Sequence, residues 1–383
     1  WQDTMAAVNL EEDRSYRRYL SVDGVDGQIV DHAKEIFRFY AARGVITESI
    51  FKGNVWKMNN ERSRTTIRFD FSDDTYRGKA QSWAGCGAEA FRLCAKTYCA
   101  FKLGSLEMST IHLISCNIVR LAECSKDEIE VNSTVAAYVV EMLEMLPGTY
   151  MERECAIEPL RECARAYSRR TKGQRLLSDF RSYFRFSEEL GKAWGGMETS
   201  RRLAYFPVYF WWNLTVILPL RVTEFLMTPR DCLVRDGSSH MVTIRRTRLK
   251  GGGAGISYKI ESDYEKEAYP ISDGLADAVE WYIEKTETMA ASPIDSLFRR
   301  EAHVGYFGVD QKKPLEERTY SYQDISKALS AYYEEELDGK GIERIRLGDT
   351  RHIAMMNLII SGGSPSMCME LAGHEDINIS SHN

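Results

Sequence analysis

The sequence predicts a mainly α-helical protein with a small antiparallel β-sheet, an α+β class, and three observations carry that expectation. Apolar residues recur every three or four positions through Ala90, Phe91, Cys94, Ala95 and Cys99, through Ile111 to Ala122, and through Val135 to Leu146. A β-rich patch gathers between Met241 and Ile271 around Gly251-Gly252-Gly253. The chain's 383 residues exceed one ordinary domain and suggest two or three. With 44% hydrophobic and 28% charged residues the balance is globular, which excludes disordered, collagen-like and fibrous chains.

Each element follows in order. Residues 1–75 are mixed and of uncertain fold: Asp31 to Tyr40 reads as a short amphipathic helix, Thr65 to Phe71 alternates as a strand, and Asp73-Asp74 punctuates it. Residues 76–195 read as a helical domain, in which Ser109-Thr110 caps one helix and Pro147-Gly148 ends another. A fourth helix there spans Leu160 to Tyr167. Gly195-Gly196 marks a junction to a larger domain, 196–383. That domain opens with Leu203 to Leu220, which carries no charge. About 18 apolar residues is where a membrane span becomes conceivable, but Pro207, Asn213, Thr215 and Pro219 interrupt this run, so it reads as a buried helix broken near Pro219. Strands are expected at Met241–Arg248, 256–260 and 269–271, and helix from there to Asn383.

A net charge of −6 gives no bulk support to nucleic-acid binding, so such a function must rest on local clusters. Nine cysteines with no C-x-x-C pair, and no charged-then-apolar leader, read as a reduced intracellular protein without a disulfide framework or zinc ribbon. The start at Trp1 and the end at Ser381-His382-Asn383 suggest a piece cut at both ends. Catalytic motifs fail in turn. Gly251 to Gly255 lacks the spacing and the Lys-Ser/Thr of a phosphate loop, and Gly362-Gly363-Ser364-Pro365-Ser366 misses the second glycine of a nucleophile elbow. The seven histidines include no H-E-x-x-H pair, so no metal site is expected.

What remains is a set of separated cationic groups. Arg221 and Glu224 lie three apart in Leu218-Pro219-Leu220-Arg221-Val222-Thr223-Glu224, where Pro219 can begin a helix and Glu224 can hold the guanidinium. A purely structural ion pair fits the same residues. Arg351, with His352 beside it, follows Gly348-Asp349-Thr350, and Asp349 or Thr350 can cap a helix that Gly362-Gly363 stops; the helix N-terminus there favours an anion. His374 follows a short helix begun near Pro365, a place where histidines commonly cap or face solvent. Lys250 ends Arg245-Arg246-Thr247-Arg248-Leu249-Lys250 at a hairpin tip, or at a solvated basic edge strand. A further basic stretch holds Arg161, Arg165, Arg169, Arg170, Lys172, Arg175, Arg181 and Arg185, interleaved with aromatic residues and opposed only by Glu162 and Asp179.

Taken in order, these groups resemble the tyrosine recombinase (phage integrase) family, which has an R-x-x-E-L segment, a hairpin lysine, an H-x-x-R-H segment and an L-x-G-H segment followed by a nucleophilic tyrosine. Arg221 with Glu224 matches the first, Lys250 or Arg248 the second, Gly348 to His352 the third, and Leu371-Ala372-Gly373-His374 the fourth. The likeness covers residues 200–383 well and 76–190 loosely. It implies a helical, SAM-like core-binding domain at 76–195 and a catalytic domain at 196–383.

The resemblance implies a metal- and ATP-independent strand transferase of a mobile element, acting through a 3′-phosphotyrosyl link without a cofactor. Arg221, Lys250, Arg351 and His374 would be catalytic, with Glu224 and His352 supporting. Arg169, Arg170, Lys172, Arg175, Arg245, Arg246 and Arg248 would contact double-stranded DNA, mainly at phosphates. A homotetramer on DNA, a monomer without it, no membrane, and a cytoplasmic, nucleoid-associated site of action would follow. Two departures stand out. Gly348 occupies the position of the family's first histidine, and no tyrosine follows His374, so the nucleophile is expected beyond Asn383 and this polypeptide is expected to be inactive alone. A second reading is a non-catalytic regulator with a helix-turn-helix near 350–372, although Ser366 to Leu371 offers no basic or amide side chain to base edges. A third is an all-helical scaffold with salt-bridged arginines.

Overall fold

The computed structural model describes residues 20–21, 24–25, 27–61, 63–148, 150–171, 177–247, 257–308 and 319–373. Their contacts form two compact units, one drawing on residues up to 60, 64–171 and 257–258, the other on 61, 63, 177–247 and 259–373.

In the first unit, β1 (Leu20–Ser21) and β2 (Gly24–Val25) pair antiparallel ahead of α1 (Gly27–Ala42). α1 buries Val30, Ala33, Ile36, Phe37 and Tyr40, the three-four spacing of a helix lying on a core. β3 (Ile46–Thr47), β4 (Val55–Asn60) and β5 (Ser63–Arg68) form a sheet in that order. Trp56 of β4 is wedged between Phe37 and Phe69, with ring centroids 4.9 and 4.8 Å away. The segment read only as mixed therefore has a sheet with an aromatic core. The helices α2 (Asp73–Gly78), α3 (Gln81–Ala84), α4 (Ala88–Lys102), α5 (Met108–Ala122), α6 (Ala136–Glu144) and α7 (Met151–Thr171) follow. α5 starts one residue ahead of the expected Ser109-Thr110 cap, after Glu107, which makes no side-chain capping bond. α7 begins at Met151 rather than Leu160, and Pro159 lies inside it. Its first turn is anchored instead by buried Arg153, which donates to the carbonyls of Leu146, Pro147 and Gly148.

The second unit contains α8 (Phe180–Gly196), α9 (Thr199–Thr215), α10 (Val222–Leu226), β6 (Leu233–Asp236), β7 (Ser239–Thr247), α11 (Ile260–Asp263), β8 (Tyr264–Ile271), α12 (Asp273–Lys285), α13 (Arg300–Phe307), α14 (Tyr322–Glu336), α15 (Asp349–Ile360) and α16 (Pro365–Ala372). α9 is the apolar helix read from the sequence. It buries Tyr205, Phe206, Phe210, Trp211 and Trp212 among α12, α13, α14 and α15, as a core helix hydrophobic on all sides does. Phe206 stacks on Tyr282 at 3.9 Å. Among the described residues no helix is long and apolar enough to cross a membrane. α9 ends at Thr215, before Pro219. The division between units falls between 171 and 177 rather than at Gly195-Gly196, because α8 packs on α9: Trp194 stacks on Tyr209 at 4.0 Å and Phe186 meets Trp212 at 4.7 Å.

β6, β7 and β8 form an antiparallel sheet with β7 in the middle, in a register that pairs Val242 with Val234's neighbour Leu233 on one side and with Tyr269 on the other. The strand expected at 256–260 is absent from the described part of that range, since Ile260 opens α11, and β8 starts at Tyr264. The glycines at 251–253, with Arg248 and Lys250, lie outside the described residues. All nine cysteines are unbonded, and several, including Cys94, Cys99 and Cys368, pack in apolar interiors.

Candidate anion-binding site

Arg221 is the N-cap of α10 rather than a residue inside a helix begun at Pro219. Its backbone is extended because Glu224, three residues on, reaches back and takes its N–H at 2.7 Å. The other carboxylate oxygen of Glu224 accepts from Arg221 Nη1 at 3.1 Å. The spacing of three thus works, as a capping arrangement instead of a helix-face pair.

Glu224 has only 1% of its side chain exposed. It accepts the backbone N–H of Thr247 at 3.1 Å, and Arg246 Nε stands 3.9 Å from the same oxygen. Burial works to raise its pKa. The Arg246 charge, the N–H groups of Arg221 and Thr247 and the Arg221 charge outweigh burial and hold the carboxyl below 4.5. Glu224 is therefore an ionised hub tying α10 to β7.

Arg351 arrives from α15. Gly348, not Asp349 or Thr350, occupies the N-cap, and its position carries no side chain to act there. Asp349 instead takes the N–H of Arg346 at 2.8 Å. Thr350 receives the Thr215 hydroxyl at 2.7 Å, and Trp211 donates to the Leu347 carbonyl at 3.2 Å, which fastens the start of α15 to α9. Arg351, third residue of the helix, donates to the carbonyls of Pro219, at 2.6 Å, and Ala372. Burial, then the Arg221 charge, pull its pKa down to about 10, with Glu224 opposing.

α16 closes the cluster. Gly362, at φ +89°, turns the chain after α15, and Cys368 and Ala372 pack with Met355. The last two carbonyls of α16 and that of Gly373 then meet three arginines in succession. Arg246 Nη2 donates to Leu371 at 2.6 Å, Arg351 to Ala372, and Arg221 Nη2 to Gly373 at 3.4 Å. Arg221 and Arg351 come together at the adjacent carbonyls of Gly373 and Ala372. They are joined by a residue the sequence reading assigned to a DNA-gripping strand, Arg246. One signal could have found it: Val242, Ile244 and Arg246 alternate along β7, and all three are buried.

Other expected residues are placed differently or fall outside the description. Arg245 is half-buried and donates to the carbonyls of Met227 and Ile294, both at 3.1 Å, so it braces the fold instead of lining a solvated edge. β7 is the central strand of its sheet, so the alternative of a solvated basic edge strand does not describe Arg245 and Arg246. His352 is the half-buried neighbour of Arg351 on α15. Arg169 and Arg170 lie on the last turn of α7. Lys172, Arg175, Arg248, Lys250 and His374 lie outside the described residues. Of the basic stretch, Arg161 is engaged by Glu144, Glu154 and Glu158, and Arg165 by Glu158. Among the described residues no group of three His, Cys, Asp or Glu is placed to hold a metal ion. The arrangement that remains is a partly buried, cationic, acid-anchored cluster, chemically suited to an anion with several oxygens.

No protein-family model and no curated protein matches the sequence. Among solved structures, the chain is similar to the XerH site-specific recombinase bound to difH substrate in a pre-cleavage complex, with 11% identity, 92% of each chain covered and a TM-score of 0.42. It is similar to the XerA recombinase at 11% identity, over 76% of this chain and 92% of that one, with a TM-score of 0.35. It is also similar to the Tn1549 transposon integrase in complex with transposon right end DNA, at 14% identity, over 72% of this chain and 89% of that one, with a TM-score of 0.35. These three solved structures are of two recombinases and a transposon integrase.

Proposed function

We propose that the protein is a site-specific DNA recombinase or integrase that breaks and rejoins strands through a 3′-phosphotyrosyl intermediate, using neither metal nor ATP. The observation that carries this reading is the meeting of Arg221 and Arg351, remote in sequence, on the adjacent carbonyls of Gly373 and Ala372. Guanidinium groups so close can donate to the two non-bridging oxygens of one phosphate, where charge grows in the transition state. Glu224 holds Arg221 ready, so the geometry is set before substrate arrives.

His374, next in sequence to Gly373, would add a hydrogen bond to the same phosphate. Lys250 would protonate the departing 5′-oxygen, as a lysine crowded by cations can. A tyrosine hydroxyl would attack phosphorus and lose its proton, forming the 3′ link and freeing a 5′-hydroxyl. Attack by the 5′-hydroxyl of another strand would reverse the step, conserving the bond. The partner is double-stranded DNA, bound by a homotetramer in the cytoplasm.

The test is a covalent trap. The complete gene product is incubated with a nicked suicide duplex carrying its recombination site, and adducts are resolved on a denaturing gel. An adduct is expected, reduced about 100-fold or more by Arg221→Gln or Arg351→Gln. Tight DNA binding with no adduct would overturn the reading.

A further inference from the structure

We propose that Arg246 is a third phosphate-binding arginine, reaching the anion from the middle strand of the sheet. The inference rests on the reading of the Arg221–Arg351 site and moves Arg246 from a general grip on DNA phosphates, which the resemblance gave it, to the one phosphate held by that pair.

Arg246 sits on the buried face of β7 with 6% of its side chain exposed. A guanidinium there needs its donors satisfied, and most buried polar groups are. Nη2 is spent on the Leu371 carbonyl, and Nε faces Glu224 at 3.9 Å. Nη1 is fully buried and has no hydrogen-bond partner among the described residues. Its two neighbours in the row, Arg221 and Arg351, are fixed on the next two carbonyls of the same turn, so the unpaired donor belongs to the same cluster. The Arg246 charge is felt by both Glu224 and Arg351.

A bracing role would be complete with the Leu371 bond alone, and it leaves the orphaned Nη1 unexplained. An incoming phosphate oxygen supplies what that nitrogen lacks. Charge agrees as well. Arg221, Arg246 and Arg351 against Glu224 leave two positive charges, which match the two negative charges that a phosphodiester acquires at five-coordinate phosphorus. Arginine's fork lets Arg246 hold a carbonyl with one nitrogen and an oxyanion with another, which a lysine cannot do.

The experiment uses inorganic phosphate as probe, titrated into the 383-residue chain with 15N-labelled arginine side chains. Binding is read by calorimetry and by the side-chain resonances of Arg246, for the unmodified chain, Arg221→Gln, Arg246→Gln and Arg246→Lys. The expected result is a phosphate-dependent shift of the Arg246 signals, a tenfold or greater loss of affinity in Arg246→Gln, and a smaller loss in Arg246→Lys. The lysine variant keeps the charge and serves if Arg246→Gln does not fold. Phosphate binding that depends on Arg221 but stays within twofold of normal in both Arg246 variants would overturn this proposal and leave the site intact. No phosphate binding in the unmodified chain would overturn the site, and Arg246's place in it as well.

Discussion

Replacing Glu224 by alanine removes the group on which the cluster is built, and its cost can be worked from the contacts. The carboxylate takes two backbone N–H groups, of Arg221 at 2.7 Å and of Thr247 at 3.1 Å, and Arg221 Nη1 at 3.1 Å. With it gone, both N–H groups lose their acceptor, and Arg246, almost wholly buried, faces two other arginines without a counter-charge. Breaking a buried ion pair by deleting one partner costs about 3–5 kcal/mol. Glu224→Gln keeps the shape but turns one of the two accepting oxygens into an NH2 donor, so about 2–3 kcal/mol is expected from loss of the charged hydrogen bonds. Urea unfolding at constant m reads both values directly. A second readout follows from ionisation. The folded-state pKa lies below the ordinary 4.5, so the stabilisation is full above that value and is lost as pH falls through the folded pKa. Glu224→Gln should abolish this part of the acid slope. A loss under about 1 kcal/mol in the alanine variant would refute the reasoning, because a charge-anchored cluster cannot lose its anchor so cheaply.

Two further outcomes test the frame around the site. Phe206→Ala should cost about 3–5 kcal/mol in the same urea assay, since the ring is fully buried and stacked between Tyr282 and Phe210; a loss below about 1.5 kcal/mol would mean that α9 is not the core of its unit. His303 is buried among Asp324, Arg300 and Lys327, and burial, with Asp324 opposing, pulls its pKa down to about 4. Its neutral form therefore supports folding fully above the ordinary value of 6.5, and that support is lost as pH falls from there through the lowered folded-state pKa. His303→Phe should flatten the difference between stabilities measured at pH 7 and pH 4.5, and an unchanged difference would show that His303 is not buried neutral.

The long helices were legible because their apolar residues keep a three-four spacing, as along α1 and α4. Arg221, Glu224 and Arg351 were singled out by their order along the chain, through the family resemblance; their local patterns of proline, acid and helix start fitted a structural ion pair as well. Arg246 was hidden by its neighbours: Arg245, Arg246 and Arg248 read as one basic run, although alternation along β7 sends adjacent side chains to opposite faces. Pro159 hid the first turns of α7, since proline inside a helix is ordinarily disruptive. Gly195-Gly196 suggested a boundary, yet both glycines belong to the last turn of α8, whose aromatic face decides where the helix packs. Nothing in the sequence could announce which carbonyls the arginines hold, because those bonds depend on tertiary packing, and two of them join segments more than a hundred residues apart, Arg246 with Leu371 and Arg221 with Gly373.

The tight turn between α15 and α16 bears on all of this. Gly363 has no room for a side chain, since a Cβ there would come within 2.7 Å of the Leu358 carbonyl oxygen. α16 is thereby fixed in place, and its negatively polarised end acts as a spacer that keeps three mutually repelling cations at set intervals. Any substitution that levers α16 outward, even one distant from the cations, shifts all three spacings together, so damage at this hinge should imitate loss of the arginines themselves.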